Sequence, residues 1–228
     1  MCGRYVAKIE AALEHEWHLI RHVPPFESYN VAPTQQVPVV RASAQGNEVL
    51  LLRWGLIPHF AKGVAPTYST INARIETVQS AASYRGPWIR GQRCAVIASG
   101  FYEWQLQSDG KTKQPYYIHL NDQENFAFAG LWDSSRSEDG ISVESCVHIT
   151  MPANSLLAEI HNAKQRMPAI LGKEDREAWL TGTPEQAWAA LKPYPAEHMV
   201  AWPVSTKVNR PANNEPALIL PIDATYAV

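Results

Sequence analysis

The chain is short of the features that most often announce a function. Only three cysteines occur among its 228 residues, Cys2, Cys94 and Cys146, and no Cys-x-x-Cys pair is formed. An odd count without close spacing argues against a disulfide framework or a zinc ribbon and fits a reducing, cytoplasmic setting. No stretch approaches the ~18 apolar residues of a membrane-spanning helix, and the start has no secretory-signal pattern. A Gly-rich phosphate loop, His-Glu-x-x-His and Gly-x-Ser-x-Gly are all missing, so P-loop, zincin and α/β-hydrolase chemistry are set aside. The eight histidines are scattered; His15, His18 and His22 share one helical region, where a solvated face is the reading, with no cysteine close by. No metal site and no cofactor are expected. An excess of one charge is lacking too: 20 basic residues face 22 acidic ones, for a net charge of −2. That gives no global attraction to nucleic acid but leaves room for a local basic groove.

What is present describes a folded chain. Hydrophobic residues make up 46% and charged residues 18%, with eight tryptophans, nine tyrosines and seventeen dispersed prolines. The prolines imply short elements joined by rigid turns. Residues 7–17 carry apolar positions at helical spacing (Ile9, Leu13, Trp17, continuing to Ile20) and read as a helix stopped by Pro24-Pro25. Residues 47–58 read as a largely buried strand. Residues 59–77 form a long irregular stretch of the kind often used for function. Strands are expected over 93–104, 113–120, 124–132 and 142–150, and Asp109-Gly110 marks a hairpin between the first two. Cys94 and Cys146 fall inside these strands as packing residues. Short helices are expected near 153–161, 173–180 and 183–192. Thr183 would cap the last of these, with Pro184 and Gln186 completing a capping box. Residues 198–209 return to strand, and 216–222 form a last apolar run. Without a regular βαβ rhythm or a break in composition, the reading is α+β: one β-rich domain over 1–228, mainly antiparallel, with peripheral helices.

The opening phrase, Met-Cys-Gly-Arg-Tyr, raises a chemical possibility. Removal of Met1 would leave Cys2 with an α-amine and a thiol on adjacent carbons. Their ordinary pKa values lie near ~8 and ~8.5. Such a pair condenses with an aldehyde to a five-membered thiazolidine ring. From position alone, an incidental residue on a frayed end is the favoured reading of Cys2. Further on, Ser-Thr-Ile-Asn-Ala-Arg-Ile-Glu-Thr puts Asn72, Arg74 and Glu76 on one side of an extended segment. Gly-Phe-Tyr-Glu-Trp sets Glu103 among aromatic neighbours, which would desolvate it and raise its pKa. Glu-Ile-His-Asn-Ala-Lys-Gln-Arg-Met-Pro places His161 at a helix end, with Arg166 just after it.

Taken together and in order, MCGRY, YNVAP, RWGLIP, INARIET, GFYEW and RMP resemble the SOS response-associated peptidase (SRAP) family of abasic-site processing proteins. The likeness spans nearly the whole chain. It implies a β-rich α+β fold with a DNA-binding groove, binding of single-stranded DNA containing abasic sites, and a covalent thiazolidine link between the mature Cys2 and the abasic-site aldehyde. It also implies a lyase side reaction and self-removal of Met1. The resemblance assigns Cys2, Asn72, Glu103 and His161 to catalysis. It assigns Arg4, Arg74 and Arg166 to DNA contacts, with Gly3 and the turn at Asn30 and Pro33 lining the pocket. Where the family runs His-Asp-Arg-Met-Pro, this chain inserts a longer loop, which adds Lys164 as a phosphate contact. Arg85 is the nearest match to a further family arginine, and Phe60 to an aromatic wedge. The expected partner is DNA rather than a membrane, and the expected state is a monomer. Two other readings remain open: a cysteine peptidase acting on other proteins, and a noncovalent single-stranded DNA-binding module.

Overall fold

The structure is a computed structural model and describes residues 2–9, 12–20, 25–121 and 123–222. Met1, residues 10 and 11 of the expected first helix, and Pro24 at its expected end lie outside the described residues. In chain order the elements are β1 (Arg4–Ile9), α1 (Ala12–Glu16), β2 (Phe26–Val31), β3 (Gln36–Ser43), β4 (Gly46–Trp54), β5 (Asn72–Arg74), α2 (Ala82–Ile89), β6 (Arg93–Ala98), β7 (Gly100–Leu106), β8 (Lys113–Leu120), β9 (Phe126–Arg136), β10 (Ser142–Pro152), α3 (Ser155–Ile160), β11 (Arg166–Pro168), α4 (Arg176–Thr181), α5 (Pro184–Ala189) and β12 (Met199–Pro203).

The strands form two sheets. The first runs β12-β8-β7-β1-β2 and the second β11-β10-β4-β3-β6-β9. Since β9 also pairs with β10, strands β10, β4, β3, β6 and β9 close on themselves. Closure removes the exposed edges that invite unwanted pairing. The fold is α+β, as expected, and most pairings are antiparallel. Two are parallel, β10 with β4 and β10 with β5.

Period-two alternation divides the first sheet between two apolar clusters. Tyr5, Ala7, Phe101, Ile118 and Leu120 join the main core, together with Val96, Phe128 and Val147 from the second sheet. Val6, Tyr102 and Tyr117, on the opposite face, pack with Tyr29, Val204, Val208 and Leu218. The segment from Val204 to Ile219 thus covers the outer face of this sheet.

This arrangement corrects several sequence expectations. Residues 4–9 are a strand, so the expected helix over 7–17 is reduced to α1. The cause is position: β1 lies between β2 and β7, buried on both faces, and a strand buried on both faces loses the alternation that would identify it. The expected strand over 93–104 is two strands in different sheets, separated at Ser99. The strand expected over 47–58 ends at Trp54 and is less buried than its composition implies; Leu51 is 49% exposed. The strand expected over 198–209 stops at Pro203, and a 3-10 turn occupies Thr206–Asn209. The capping box of α5 is formed by Thr183 and Gln186 as read from the sequence.

Gly100 opens β7 immediately after the switch between sheets. A Cβ built there would lie 2.3 Å from the Tyr117 ring, which is anchored through its hydroxyl to the Ser99 carbonyl. Gly100→Ala is therefore expected to destabilise the fold by about 2 kcal/mol or more through overpacking. Urea denaturation measures this, and wild-type stability in the variant would contradict the packing described.

Candidate active site

Four elements converge where β1 begins. Arg4 pairs with Tyr102 and Tyr5 with Phe101, so the same antiparallel register carries residues 2 and 3 alongside Trp104 and Glu103. Cys2 is fully buried. Its Sγ lies 3.6 Å from the Arg4 carbonyl oxygen, and its own carbonyl accepts a 2.9 Å hydrogen bond from Asn72 Nδ2. Asn72 is delivered by β5, which is held parallel to β10 with Asn72 opposite His148. The buried Asn72 Oδ1 has no partner among the described residues, which leaves an acceptor close to Cys2.

Glu103 and His161 form the other half of the site. Glu103 is 2% exposed, and its Oε2 stands 3.8 Å from His161 Nε2. Burial raises the Glu103 carboxyl to about 7, with nearby positive charge, including Lys164, pulling the other way. A carboxyl poised there donates and accepts protons with similar ease near neutrality. His161 follows α3, whose N-cap Asn154 accepts from the Leu157 amide. The His161 Nδ1 contacts the Arg166 carbonyl at 2.9 Å. A carbonyl only accepts, so Nδ1 carries the hydrogen and Nε2 turns a lone pair toward Glu103. Burial lowers the His161 pKa, and the charges of Lys164 and Lys113 act in the same direction. The pair is thus arranged as a neutral imidazole beside a carboxyl that titrates near neutrality. A cleft of ≈ 330 Å³ opens beside them, lined by Glu103, Trp104, Lys113, His161, Ala163 and Lys164.

The thiol is tuned in the opposite sense to a peptidase nucleophile. Burial raises the Cys2 thiol far above its ordinary pKa, and the Glu103 charge adds to the effect. A hydrolytic cysteine needs a depressed pKa and a thiolate.

The remaining sequence-derived residues fall into two groups. Lys164, Arg74 and Arg85 are exposed. Arg4 and Arg166 are engaged within the protein. Arg4 Nη1 donates to Asn30 Oδ1 at 3.1 Å and to the Val208 carbonyl at 2.8 Å, while Nη2 reaches the Asn209 carbonyl at 3.3 Å. Arg166 binds both carboxylate oxygens of Glu76, together with the Thr150 carbonyl at 2.7 Å. Asn30 is 1% exposed and donates to the carbonyls of Val208, Arg210 and Asn213. Pro33 sits partly buried in the turn after β2, and Gly3 is partly buried beside Cys2. Phe60 is 54% exposed on a 3-10 turn that is fastened to Asp133 of β9, and it is not among the residues that line the cleft.

Sequence reasoning did not assign Lys113 or Trp104 to the site. Lys113 arrives through the β7–β8 hairpin, where it pairs with Leu106. The Asp109-Gly110 turn was the available signal. Among the described residues no cluster of histidine, cysteine and carboxylate side chains could hold a metal ion, and no helix is long and apolar enough to cross a membrane.

Residues 1–211 match the model of the family described as SOS response associated peptidase (SRAP). The chain is 38% identical over 227 residues to the abasic site processing protein YoqW of Bacillus subtilis, covering 96% of this chain and 99% of that protein. It is 33% identical to the abasic site processing protein HMCES of Gallus gallus, covering 98% of this chain and 78% of that one. Among solved structures, a crystal structure of a Bacteroides thetaiotaomicron protein matches with a TM-score of 0.76 and 32% identity, covering 85% of each chain.

Proposed function

The chain belongs to the SOS response associated peptidase family, and from that premise we propose that it processes abasic sites in single-stranded DNA by capturing them covalently on Cys2. The observation that supports this reading is the surroundings of Cys2. Asn72 grips the Cys2 carbonyl at 2.9 Å, beside a buried carboxyl poised near neutrality and a fixed imidazole.

The chemistry proceeds in balanced steps. Removal of Met1 frees the Cys2 amine. An abasic sugar, lacking a base, enters the cleft mainly as the closed hemiacetal. Glu103 moves the proton between the anomeric hydroxyl and the ring oxygen, and the aldehyde is released. The neutral amine adds to C1′, and the carbinolamine loses water to give an imine. The Cys2 sulfur then bonds to C1′ and its proton passes to nitrogen, which closes the thiazolidine. Asn72 Oδ1 is available to accept from the amine or a sugar hydroxyl, and His161 Nε2 shares protons with Glu103.

The imine has a second fate. It acidifies the C2′ proton, and loss of that proton expels the 3′ phosphate and cuts the strand. Ring closure withdraws the imine from that path, so lyase activity is the minor outcome. The peptidase activity of the family name is assigned here to the Met1–Cys2 bond.

A denaturing gel tests the proposal. Wild-type protein mixed with a single-stranded oligonucleotide carrying one abasic site is expected to give a band that survives denaturant without borohydride. An intact oligonucleotide gives none. No adduct with the abasic strand would contradict the proposal.

A further inference from the structure

The segment over the outer face of the first sheet is fastened at one point with unusual density. Within 206–213, the carbonyls of Val208, Asn209, Arg210 and Asn213 all accept from Arg4 or Asn30. Asn213 Nδ2 closes the loop on the Lys207 carbonyl at 2.8 Å. The loop also touches the cleft: Trp104, which lines it, donates from Nε1 to Asn209 Oδ1 at 2.9 Å. An open cavity lies against the loop, lined by Thr206, Lys207, Asn209, Arg210, Asn213 and Glu215.

The charges are distributed in a telling way. Arg4, the basic residue nearest Cys2 in sequence, is turned onto the loop. Lys113 and Lys164 stand at the cleft itself. The loop that Trp104 bonds through Asn209 carries Lys207 and Arg210, both exposed. A single strand whose abasic sugar occupies the cleft extends past its walls, and the Trp104 wall leads directly to this loop. Because the chain is close to neutral overall, phosphate binding depends on such local groups.

We infer that the 206–213 loop, held by Arg4 and Asn30, is a second phosphate-binding element, with Lys207 and Arg210 engaging the DNA backbone that flanks the abasic nucleotide on the Trp104 side. The inference rests on the proposed DNA-binding function. Glu215, 4.0 Å from Lys207 Nζ, opposes it locally and sets a limit on affinity.

Fluorescence anisotropy tests the inference, with single strands carrying a nonreactive tetrahydrofuran abasic analogue and shortened on either side of it. Shortening one flank, and only one, is expected to weaken wild-type binding through this loop. The double variant Lys207→Gln/Arg210→Gln should bind the full strand roughly fivefold to tenfold more weakly, with the salt slope flattened by about 1.4 for two lost phosphate contacts. It should also be insensitive to shortening of that same flank. Glu215→Gln should tighten binding. A double variant with wild-type affinity, slope and response to shortening overturns the inference while leaving abasic-site capture intact. Failure of the wild type to bind any strand overturns the functional reading itself.

Discussion

Cys2→Ser is expected to lose the borohydride-independent DNA adduct by roughly a thousandfold or more, while still forming an imine that borohydride traps. Serine keeps the α-amine and is small enough for the leading methionine to be removed. It therefore retains the first covalent step and lacks only the sulfur. A hydroxyl is a far poorer nucleophile, and its ring closure gives a labile product. The trapped imine should remain within an order of magnitude of wild type, and strand cleavage should rise as the imine persists. Denaturing gels run with and without borohydride separate these outcomes. A stable adduct in the serine variant without borohydride would show that the thiol is not the closing group.

Glu103→Gln is expected to slow adduct formation by about a hundredfold or more, within the range typical of a lost general acid–base. The amide fills the same space and keeps hydrogen-bonding capacity, but it cannot transfer a proton to the sugar. The wild-type rate should also show a pH limb near 7, where the buried carboxyl titrates, and the variant should lack it. The same substitution should act on stability with the opposite sign. The unfolded carboxyl titrates near ~4.3, so between that pH and about 7 the folded chain holds a proton that the unfolded chain has released. Stability consequently falls as pH rises through this window. Glutamine removes the dependence, and the variant should be the more resistant to urea above pH 7. Rapid-quench assays and urea titrations across pH measure the two effects. A variant both fast and unchanged in stability would contradict the role of Glu103.

Much of the candidate site was legible because its phrases are local. Glu103 among aromatic residues reads as a desolvated carboxylate, and burial does raise its pKa. His161 reads as the end of a short helix and is found there. Contacts joining distant segments were not legible. The hydrogen bonds that Arg4 and Asn30 make to a loop some two hundred residues away in sequence are an arrangement no periodicity encodes. The expected helix over 7–17 failed for a related reason. Burial of Val6 and Ala7 on opposite faces of β1 depends on β2, β7 and the C-terminal segment, all remote in sequence. The division of 93–104 at Ser99 likewise depends on which sheet each half joins. Capping of α5 needs only neighbours within three residues, and it was read correctly.

The central claim is that both nucleophiles of a free Cys2 bond to the abasic aldehyde. Intact-mass spectrometry of the denatured adduct, formed without borohydride, tests it most directly. The account predicts the mass of the chain without Met1 plus that of the oligonucleotide, less one water, with only Cys94 and Cys146 taking up iodoacetamide, and no adduct when the Cys2 amine is acylated. An adduct that retains Met1, one in which all three thiols are alkylated, or one formed equally well by the acylated chain would contradict it.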